Sequence, residues 1–325
     1  MKQPTEIIEQ ICAVLHDKSN ILVATHIFPD GDALGSQLAL GDILESIGKR
    51  VFYYSEDGCS HLHDFFPHCR KLEVLLPDPA SFDAAIALDC GDRLRLGQEM
   101  EQLLQIKPFI VIDHHAGHKF FGDINWVDAK RSSTGEMVYE LALALGARIS
   151  YDAAFALYAA IVSDTGSFKY AGTTANTFRV AGELVALGVK PADVSGKIFD
   201  NYTTNRLRLL QAVLTTLELH ADNRIGLITV TKSIFAETGT TKEDTEDFIN
   251  YPRALKSVQV AIFIKEAQDD WISVSLRSKE NRDVAAIARM FGGGGHRNAA
   301  GFRLRGTTIA EVRSKLLPQI EQILT

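Results

Sequence analysis

Residues 25–36 read THIFPDGDALGS and bring one imidazole and two carboxylates, those of His26, Asp30 and Asp32, within seven residues. The apolar run ILVA at residues 21–24 precedes this segment, and a helix-like run follows it. A strand that turns directly into a helix would place all three side chains at the carboxyl end of the strand, where open parallel sheets bind ligands. Imidazole and carboxylate together suit a divalent transition metal such as manganese. Alone, the segment is also compatible with an acidic loop that caps a helix.

The bulk composition is that of a soluble globular protein. The chain has 325 residues, of which 46% are hydrophobic and 23% charged, so it can bury a sizeable core in one large or two ordinary domains. The formal net charge of −7 argues against a protein that coats long duplex DNA. It leaves room for a short anionic substrate held by metal ions and a few arginines.

The cysteine content favours a reducing environment. The four cysteines form no CxxC pair, so we expect reduced thiols in a cytosolic protein. One loop nevertheless raises the question of a structural zinc ion, because it contains Cys59, His61, His63, His68 and Cys69. Their spacing matches no common zinc pattern. We therefore expect a surface loop near the cleft, with its FFP segment tucked into the core.

Export and membrane insertion are not expected from the sequence. The N-terminal segment carries Glu6 and Glu9 and lacks a basic region followed by an apolar core, so we predict no signal peptide. The longest strongly apolar run, residues 153–162, is half the roughly 20 residues that a membrane helix needs. We expect a cytoplasmic protein.

Short apolar runs alternate with helical periodicity, which predicts a parallel sheet covered on both faces. We predict N-terminal strands at 21–25, 51–54, 83–88 and 109–112, and helices at 4–18, 32–47, 98–105, 132–145 and 151–162. Three further helices are predicted at 174–187, 191–199 and 205–220. A region of more antiparallel type follows, with strands at 225–230, 258–264, 271–276 and 302–304, a turn at 268–270, and helices at 284–291 and 309–324.

Four segments, each after an apolar run, present Asp and His side chains. They are His26/Asp30/Asp32, Asp89, Asp113-His114-His115 and Asp164. A lone aspartate in such a place is usually a helix cap or a turn former. Carboxylates that converge on one sheet edge, however, repel one another unless cations lie between them. Two metal ions about 3.5–4 Å apart that share one carboxylate would use this set, and they would also activate water for attack on a phosphate.

The order HxxPDxD, a lone aspartate, DHH and SDTG resembles the DHH phosphoesterase superfamily. Residues 292–301, which read GGGGHRNAAG, resemble the DHH-associated domain, so the resemblance covers most of the chain. It implies an α/β fold with a DHH catalytic domain at 1–187, in which helices cover both faces of a parallel sheet. This domain would be followed by a helical connector at 188–220 and by a smaller α/β domain at 221–325, the DHH-associated substrate-binding domain.

The resemblance also implies roles for the clustered residues. The implied ligands are His26 and Asp30 for one metal ion, Asp32, His114 and Asp164 for the other, and Asp89 as the bridge between them. Asp113 would hold the neighbouring imidazoles from outside, as metal-bound histidines usually require. His115 would face the scissile phosphate.

Several candidate phosphate contacts lie in or near glycine-rich and basic segments. Successive glycines such as Gly293, Gly294 and Gly295 let the backbone approach a phosphate and offer free N–H groups. His296 and Arg297 follow them and would then contact the scissile or terminal phosphate. These residues belong to the net-positive segment 251–305 of an otherwise acidic chain.

Two more candidates have simpler alternatives. Arg277-Ser278 ends a predicted strand and is either a second phosphate clamp or an exposed strand-end charge. Arg131 precedes a helix start whose hydroxyl residues are explained by capping, although a phosphate can also dock at a helix N-terminus.

The resemblance therefore implies a two-domain phosphoesterase with two divalent ions, Mn²⁺ by expectation. It would hydrolyse very short single-stranded RNA to nucleoside monophosphates and remove the 3′-phosphate of 3′-phosphoadenosine 5′-phosphate (pAp). A cyclic- or linear-dinucleotide phosphodiesterase, an inorganic pyrophosphatase or exopolyphosphatase, and a catalytically silent nucleotide-binding protein remain alternatives. No membrane partner is expected, and the resemblance is compatible with a homodimer.

Overall fold

The computed structural model describes residues 4–266, 270–280 and 282–324. The chain divides into two compact units, Met1–Asn201 and Tyr202–Thr325. The turn predicted at 268–270 lies outside the described residues except for Asp270.

The first unit is built on a six-stranded parallel sheet with the strand order β3-β2-β1-β4-β5-β6. Its strands are β1 (Asn20–Ala24), β2 (Arg50–Tyr54), β3 (Leu72–Glu73), β4 (Ala84–Leu88), β5 (Phe109–Asp113) and β6 (Ile124–Val127). Its helices are α1 (Pro4–Asp17), α2 (Gly31–Ser46), α3 (Met100–Leu103), α4 (Thr134–Ala144), α5 (Tyr151–Asp164), α6 (Ala175–Ala186) and α7 (Pro191–Phe199).

The central strands β1, β4 and β5 are apolar along nearly their whole length because both faces of the sheet are covered. On one face, Ile21 and Ile86 pack in the core that includes helices α2, α4 and α5. On the other face, Leu22 and Ala85 pack in a smaller core that includes Leu103 of α3. The strand order reverses between β1 and β4, which opens a crevice beyond their carboxyl ends.

Helices α2 and α5 approach each other closely at a glycine. A side chain at Gly35 of α2 would come within 2.6 Å of the Ala156 carbonyl oxygen and 2.9 Å of the Ala160 Cβ atom, both on α5. Since Asp32 lies at the start of α2 and Asp164 at the end of α5, this contact sets the spacing of two predicted metal ligands.

The second unit contains a six-stranded mixed sheet with the order β11-β12-β10-β9-β8-β7. Its strands are β7 (Glu218–His220), β8 (Ile225–Val230), β9 (Val260–Glu266), β10 (Trp271–Ser278), β11 (Gly294–His296) and β12 (Ala299–Arg305). Its helices are α8 (Thr204–Leu214), α9 (Lys232–Thr238), α10 (Asn250–Ala254), α11 (Val284–Met290) and α12 (Ile309–Gln322). Strands β8 and β9 are parallel, whereas the other neighbouring pairs are antiparallel.

The predicted α/β class is confirmed, with a parallel sheet in the first unit and a mixed sheet in the smaller second unit. The helix predicted at 205–220 is wrong at its C-terminal end, because α8 stops at Leu214 and β7 follows. The Thr216 hydroxyl donates to the Thr229 carbonyl at 3.1 Å and accepts from the Thr229 N–H at 2.8 Å. These side-chain bonds tie the chain to β8 where helical periodicity alone predicts another turn of helix. The elements that were not predicted are β3, β6, β7, β11, α9 and α10.

The histidine-containing loop differs from expectation in its cysteines. Cys59 and Cys69 form a disulfide with Cα atoms 6.1 Å apart, whereas Cys12 and Cys90 are free. The expectation of reduced thiols is therefore wrong for this pair. The loop does tuck its aromatic segment inward as predicted, since Phe66 is buried in the main core.

No helix within the described ranges has the length and apolar character needed to cross a membrane.

Candidate metal centre

Three adjacent strands deliver the central imidazoles and carboxylates. His26 follows β1, Asp89 follows β4 and His114 follows β5. The Nε2 atom of His26 lies 3.5 Å from Oδ2 of Asp89, and the Nε2 atom of His114 lies 3.5 Å from Oδ1 of the same residue. Asp89 thus presents one carboxylate oxygen to each histidine, as a bridging ligand must.

A second carboxylate pair lies around His114. Its Nε2 atom is 3.3 Å from Oδ2 of Asp164 and 3.7 Å from Oδ2 of Asp32. These separations exceed ordinary hydrogen-bond lengths, yet they suit two ligand atoms that each lie about 2.1 Å from one shared cation. Among the described residues of the first unit, ligand atoms group within 4.8 Å as the sets His26/Asp30/Asp89, Asp32/His114/Asp164 and Asp89/Asp113/His115.

The N-terminus of α4 holds the buried carboxylate of Asp32. The backbone N–H groups of Thr134 and Gly135 donate to its two oxygens at 2.7 and 2.9 Å, and Ser36 donates to it from α2 at 3.1 Å. The Thr134 hydroxyl donates to Oδ1 of Asp89 at 3.0 Å. The capping expected from the sequence is present, since the Ser133 hydroxyl accepts from the Glu136 N–H at 3.1 Å. The N–H groups of Thr134 and Gly135 at this helix start bind a protein carboxylate.

The electrostatics of the cluster favour a bound cation. Burial, together with the charges of Asp89 and Asp164, raises the pKa of Asp32 well above its ordinary value. Burial also raises the pKa of Asp164 to about 6. Although burial opposes the charged imidazole, the surrounding carboxylates raise the pKa of His114 to about 9. The site therefore attracts positive charge, and this mixed oxygen and nitrogen donor set fits divalent metal ions.

The outer nitrogen atoms of the histidines are hydrogen-bonded, which orients their rings. Nδ1 of His114 lies 3.3 Å from the Arg131 carbonyl, and Nδ1 of His26 lies 2.8 Å from the Ile27 carbonyl. Carbonyl oxygens only accept, so the contact of His114 places a proton on its Nδ1 and leaves Nε2 free to bind a metal. For His26, Nη2 of Arg95 also lies 2.8 Å from Nδ1; because a guanidinium only donates, the two neighbours of Nδ1 orient the ring without defining its tautomer.

His115 is oriented by a carboxylate rather than by a carbonyl group. Its Nδ1 atom lies 2.7 Å from Oδ1 of Asp113, the contact expected for an outer partner. Cys90, next to the bridging aspartate, is fully buried, and burial raises the pKa of its thiol to about 12. It packs in the smaller core of the first unit.

Arg131 is surrounded by carboxylates of its own unit. Its guanidinium donates to Asp128 at 3.1 Å, to Glu136 at 3.4 Å and to Glu140. The structure therefore gives Arg131 a place in an ion-pair network, and its role as a substrate contact stays a prediction.

Two of the substrate contacts predicted in the second unit share one face of its sheet. Arg277 of β10 and His296 of β11 both pair directly with Ala299 of β12, and residues directly opposite each other project from the same side. Arg297 follows His296, and its carbonyl accepts from the Val284 N–H at 2.8 Å. Arg277 and His296 thus lie in one row across three strands.

Ser278 is placed differently from Arg277. Its side chain is buried, and its hydroxyl donates to the Arg282 carbonyl at 2.8 Å. The same hydroxyl accepts from Nδ2 of Asn298 at 2.9 Å. Its hydrogen-bonding capacity is therefore largely used inside the unit.

The glycine run has a structural reason beyond phosphate contact. A side chain at Gly293 would clash with the Gly301 carbonyl, and one at Gly295 would come within 2.5 Å of the Ala299 carbonyl. Both glycines are required by the hairpin that β11 forms with β12. Among the three predicted glycines, Gly294 alone has open space where a side chain would project, so its backbone is the one of the three that a ligand can approach most easily.

Several site residues were not identified from sequence. Thr134 and Gly135 were seen only as parts of a helix start, and Arg95 and His118 were not singled out at all. Their contacts with Asp32, Asp89, His26 and Asp113 arise from chain crossings that no local pattern marks. The one available signal was the S-S-T-G start of α4, which was correctly recognised as a helix N-terminus.

The chain matches the N-terminal domain of the DHH family over residues 20–161 and the DHHA1 domain over residues 227–325. It belongs to the DHH family, which confirms the resemblance of its motifs, and it is a hydrolase of phosphoester bonds. The acidic and histidine clusters described above fit the divalent metal ions that DHH phosphoesterases use.

Individual relatives resemble this chain over nearly its full length. It is 30% identical to the bifunctional oligoribonuclease and PAP phosphatase NrnA of Thermus thermophilus, over 94% of this chain and 90% of that protein. It is 29% identical to the protein of the same description from Bacillus subtilis, over 91% and 92%. A crystal structure of an exopolyphosphatase-related protein from Bacteroides fragilis matches with a TM-score of 0.88 and 28% identity, over 98% and 96%.

Proposed function

We propose that this protein is a manganese-dependent phosphoesterase that hydrolyses very short oligoribonucleotides to nucleoside monophosphates and converts pAp to AMP. The observation that carries the proposal is the position of Asp89, which offers one oxygen to His26 and the other to His114. A carboxylate shared between two ligand sets is the core of a two-metal hydrolytic site. The oligoribonuclease and PAP phosphatase activities named for the two relatives support the choice of substrate.

The ligand assignment follows the two sets of donor atoms. His26 and Asp30 would hold one ion, Asp32, His114 and Asp164 the other, and Asp89 both. When bound, a pair of divalent ions activates water for in-line attack and neutralises phosphate charge. The α4 N-terminus keeps Asp32 in place, and the Thr134 hydroxyl does the same for Asp89.

His115 would stabilise the charge that develops on the phosphoryl oxygens. Its Nδ1–H is donated to Asp113 at 2.7 Å. Although burial opposes the charged ring, the carboxylates of Asp89 and Asp113 raise the pKa of His115, and in the imidazolium form its Nε2–H would donate to a substrate oxygen. A donor fixed before the reaction stabilises developing charge more effectively than one that must reorient. Asp113 would therefore act through His115.

The second unit would bind the nucleotide end of the substrate. Arg277, His296 and Arg297 would contact phosphate, and the open backbone at Gly294 would let a phosphate approach. The shared face of Arg277 and His296 supports this assignment. Support for a substrate contact is weaker for Ser278 and Arg131, because their side chains already form hydrogen bonds within the protein.

The decisive experiment is a hydrolysis panel with Mn²⁺ that contains RNAs of two to twenty nucleotides, pAp, pyrophosphate, polyphosphate and a cyclic dinucleotide. We expect a sharp preference for the shortest RNAs together with release of phosphate from pAp. A preference for pyrophosphate or polyphosphate would instead favour the inorganic substrates. A preference for the cyclic dinucleotide would favour that phosphodiesterase activity.

The metal assignment needs matched variants in one loop. Asp89→Ala should abolish hydrolysis of every substrate in the panel. Asp92→Asn is the control, since Asp92 lies three residues away and caps a turn through the Leu94 N–H at 3.0 Å. Unchanged hydrolysis by Asp89→Ala in the presence of Mn²⁺ would refute the two-metal assignment.

A further inference from the structure

His118 is a buried imidazole just beyond the DHH segment, and its tautomer is defined by a backbone contact. Its side chain has no exposed surface, and its ring stacks on Phe121 with centroids 5.4 Å apart. The Phe120 N–H donates to its Nδ1 atom at 2.7 Å. Because Nδ1 accepts, the single ring proton of neutral His118 lies on Nε2.

The Nε2–H group of His118 faces an equally unsatisfied carboxylate oxygen. Nε2 lies 3.9 Å from Oδ2 of Asp113, and both atoms are buried without a hydrogen-bond partner in the described structure. Buried polar atoms are seldom left unpaired. A shift of about 1 Å would bring this donor and acceptor to a normal hydrogen-bond length.

The loop that carries His118 is tied to the metal-site loop beside it. The Lys119 N–H donates to the Gly91 carbonyl at 2.9 Å. A side chain at Gly91 would lie 3.5 Å from Oδ2 of Asp113 and 3.4 Å from Cβ of His115. The two loops thus enclose the Asp113 carboxylate, so its second oxygen is reached from within the protein.

We propose that His118 is a positioning residue that acts through Asp113 on His115. An ionised carboxylate can only accept hydrogen bonds, so Asp113 keeps the proton of His115 on Nδ1 only while its Oδ1 atom faces that nitrogen. A donor at Oδ2 prevents the carboxylate from rotating away. The inference rests on the proposed role of His115 and extends it to a His118–Asp113–His115 series that the DHH motif does not include.

A simpler interpretation makes His118 only an aromatic filler against Phe121. The two interpretations differ for His118→Phe, which keeps a ring and the stacking but removes the Nε2–H donor. We expect kcat to fall about tenfold, the lower range for outer partners of a metal site, while KM changes less than twofold. His118→Gln, which offers an amide N–H near the former Nε2 position, should recover most of kcat.

Two controls separate positioning from folding. Phe121→Leu disturbs the stack but leaves the donor, so its kcat should stay within about twofold of wild type. Calorimetric titration with Mn²⁺ should give wild-type affinity for His118→Phe, because no metal ligand is changed. Wild-type kcat in His118→Phe, an equal loss in Phe121→Leu, or a parallel loss of Mn²⁺ affinity would each overturn the proposal.

The tautomers supply a readout that does not depend on activity or on the choice of substrate. Long-range ¹H–¹⁵N spectra of metal-free protein labelled at histidine, recorded at a pH at which both rings are neutral, should show His118 protonated at Nε2 and His115 at Nδ1. In His118→Phe we expect the His115 signals to average between both tautomers. An unchanged His115 tautomer would refute the positioning role even if the substrate assignment holds, whereas an altered tautomer would support it even if that assignment fails.

Discussion

The hydroxyl of Thr134 donates a hydrogen bond to Oδ1 of Asp89 at 3.0 Å, while the N–H of Thr134 donates to Oδ2 of Asp32 at 2.7 Å. One residue at the start of α4 therefore holds two proposed metal ligands. Those ligands come from different elements, since Asp32 lies in α2 and Asp89 follows β4. The helix N-terminus supplies the positive end of its dipole to both carboxylates.

Thr134→Val should weaken metal binding more than it weakens folding. The substitution removes only the hydroxyl, so the backbone bond to Asp32 remains and the unfolding free energy should fall by about 1 kcal/mol. Mn²⁺ affinity, measured by calorimetry, should fall about 10–100-fold, the usual loss for an outer partner of a metal ligand. Thr134→Ser keeps the hydroxyl and should stay near wild type. Equal affinities of Val and Ser variants would contradict this role.

Gly35→Ala should destabilise the first unit. The new methyl group would lie 2.6 Å from the Ala156 carbonyl oxygen. Because relieving this clash requires a shift of the backbone, we expect the unfolding free energy to fall by about 1–3 kcal/mol. Because α2 and α5 each carry a proposed ligand, Mn²⁺ affinity should fall as well. Denaturant unfolding and calorimetry measure the two effects.

The control for Gly35 is Gly182→Ala in α6. No heavy atom lies within 4 Å of a side chain placed at Gly182, so the exchange should instead stabilise the helix by roughly 0.5–1 kcal/mol. Similar effects of the two substitutions would show that close packing of α2 on α5 is not the reason for the glycine.

The strand-end motifs could be located from sequence because each has a local signature. A buried parallel strand is a short apolar run, and the polar residue that follows it must lie at one edge of the sheet. His26, Asp89 and His114 were predicted to converge on that basis, and the structure brings them together. The contact of Gly35 with α5 could not be predicted in this way, because a glycine within a helical pattern does not by itself indicate close packing.

Partners distant in sequence explain most of what was missed. Thr134 is 102 residues from Asp32, and Arg95 is 69 residues from His26. Such pairs depend on how loops cross after folding, which hydrophobic periodicity does not encode. The same holds for β7, whose pairing with β8 outweighs the helical pattern of its own residues.

Mn²⁺ should stabilise the wild-type protein, and Asp89 should be required for the effect. A ligand that binds only the folded state at 100 times its Kd adds about 2.7 kcal/mol per site. Thermal unfolding with and without Mn²⁺ tests this, with EDTA to reverse it. Asp89→Asn should lose most of the rise in unfolding temperature that Mn²⁺ causes in the wild-type protein, whereas Asp92→Asn should retain it. An equal shift in both variants would place the bound ion elsewhere.

The last prediction concerns Glu136, a buried carboxylate that joins α4 to α6. It accepts from the Ser132 hydroxyl at 2.6 Å, the Asn176 amide at 2.5 Å and the Thr177 hydroxyl at 3.1 Å. Burial alone would raise its pKa, but these hydrogen bonds lower the pKa below the ordinary 4.5. A carboxyl group whose pKa is depressed by folding adds stability above its unfolded pKa, and that stability is lost as pH falls through the folded pKa.

Glu136→Gln should therefore be less stable than wild type at pH 7, by about 1–3 kcal/mol, because its amide cannot accept all three bonds. This difference in unfolding free energy between variant and wild type should become smaller as the pH falls below 4.5, because protonation of Glu136 then weakens the same hydrogen bonds in wild type. Arg131 and Glu140 also face this group. Burial raises the pKa of Glu140, and the charge of Glu136 adds to this shift, so Glu136→Gln also lowers the pKa of Glu140 and offsets part of the expected narrowing. Comparing the two proteins in a Glu140→Gln background removes this contribution. Urea unfolding at several pH values measures the difference, and a difference that stays constant from pH 7 to pH 3 would contradict the assignment.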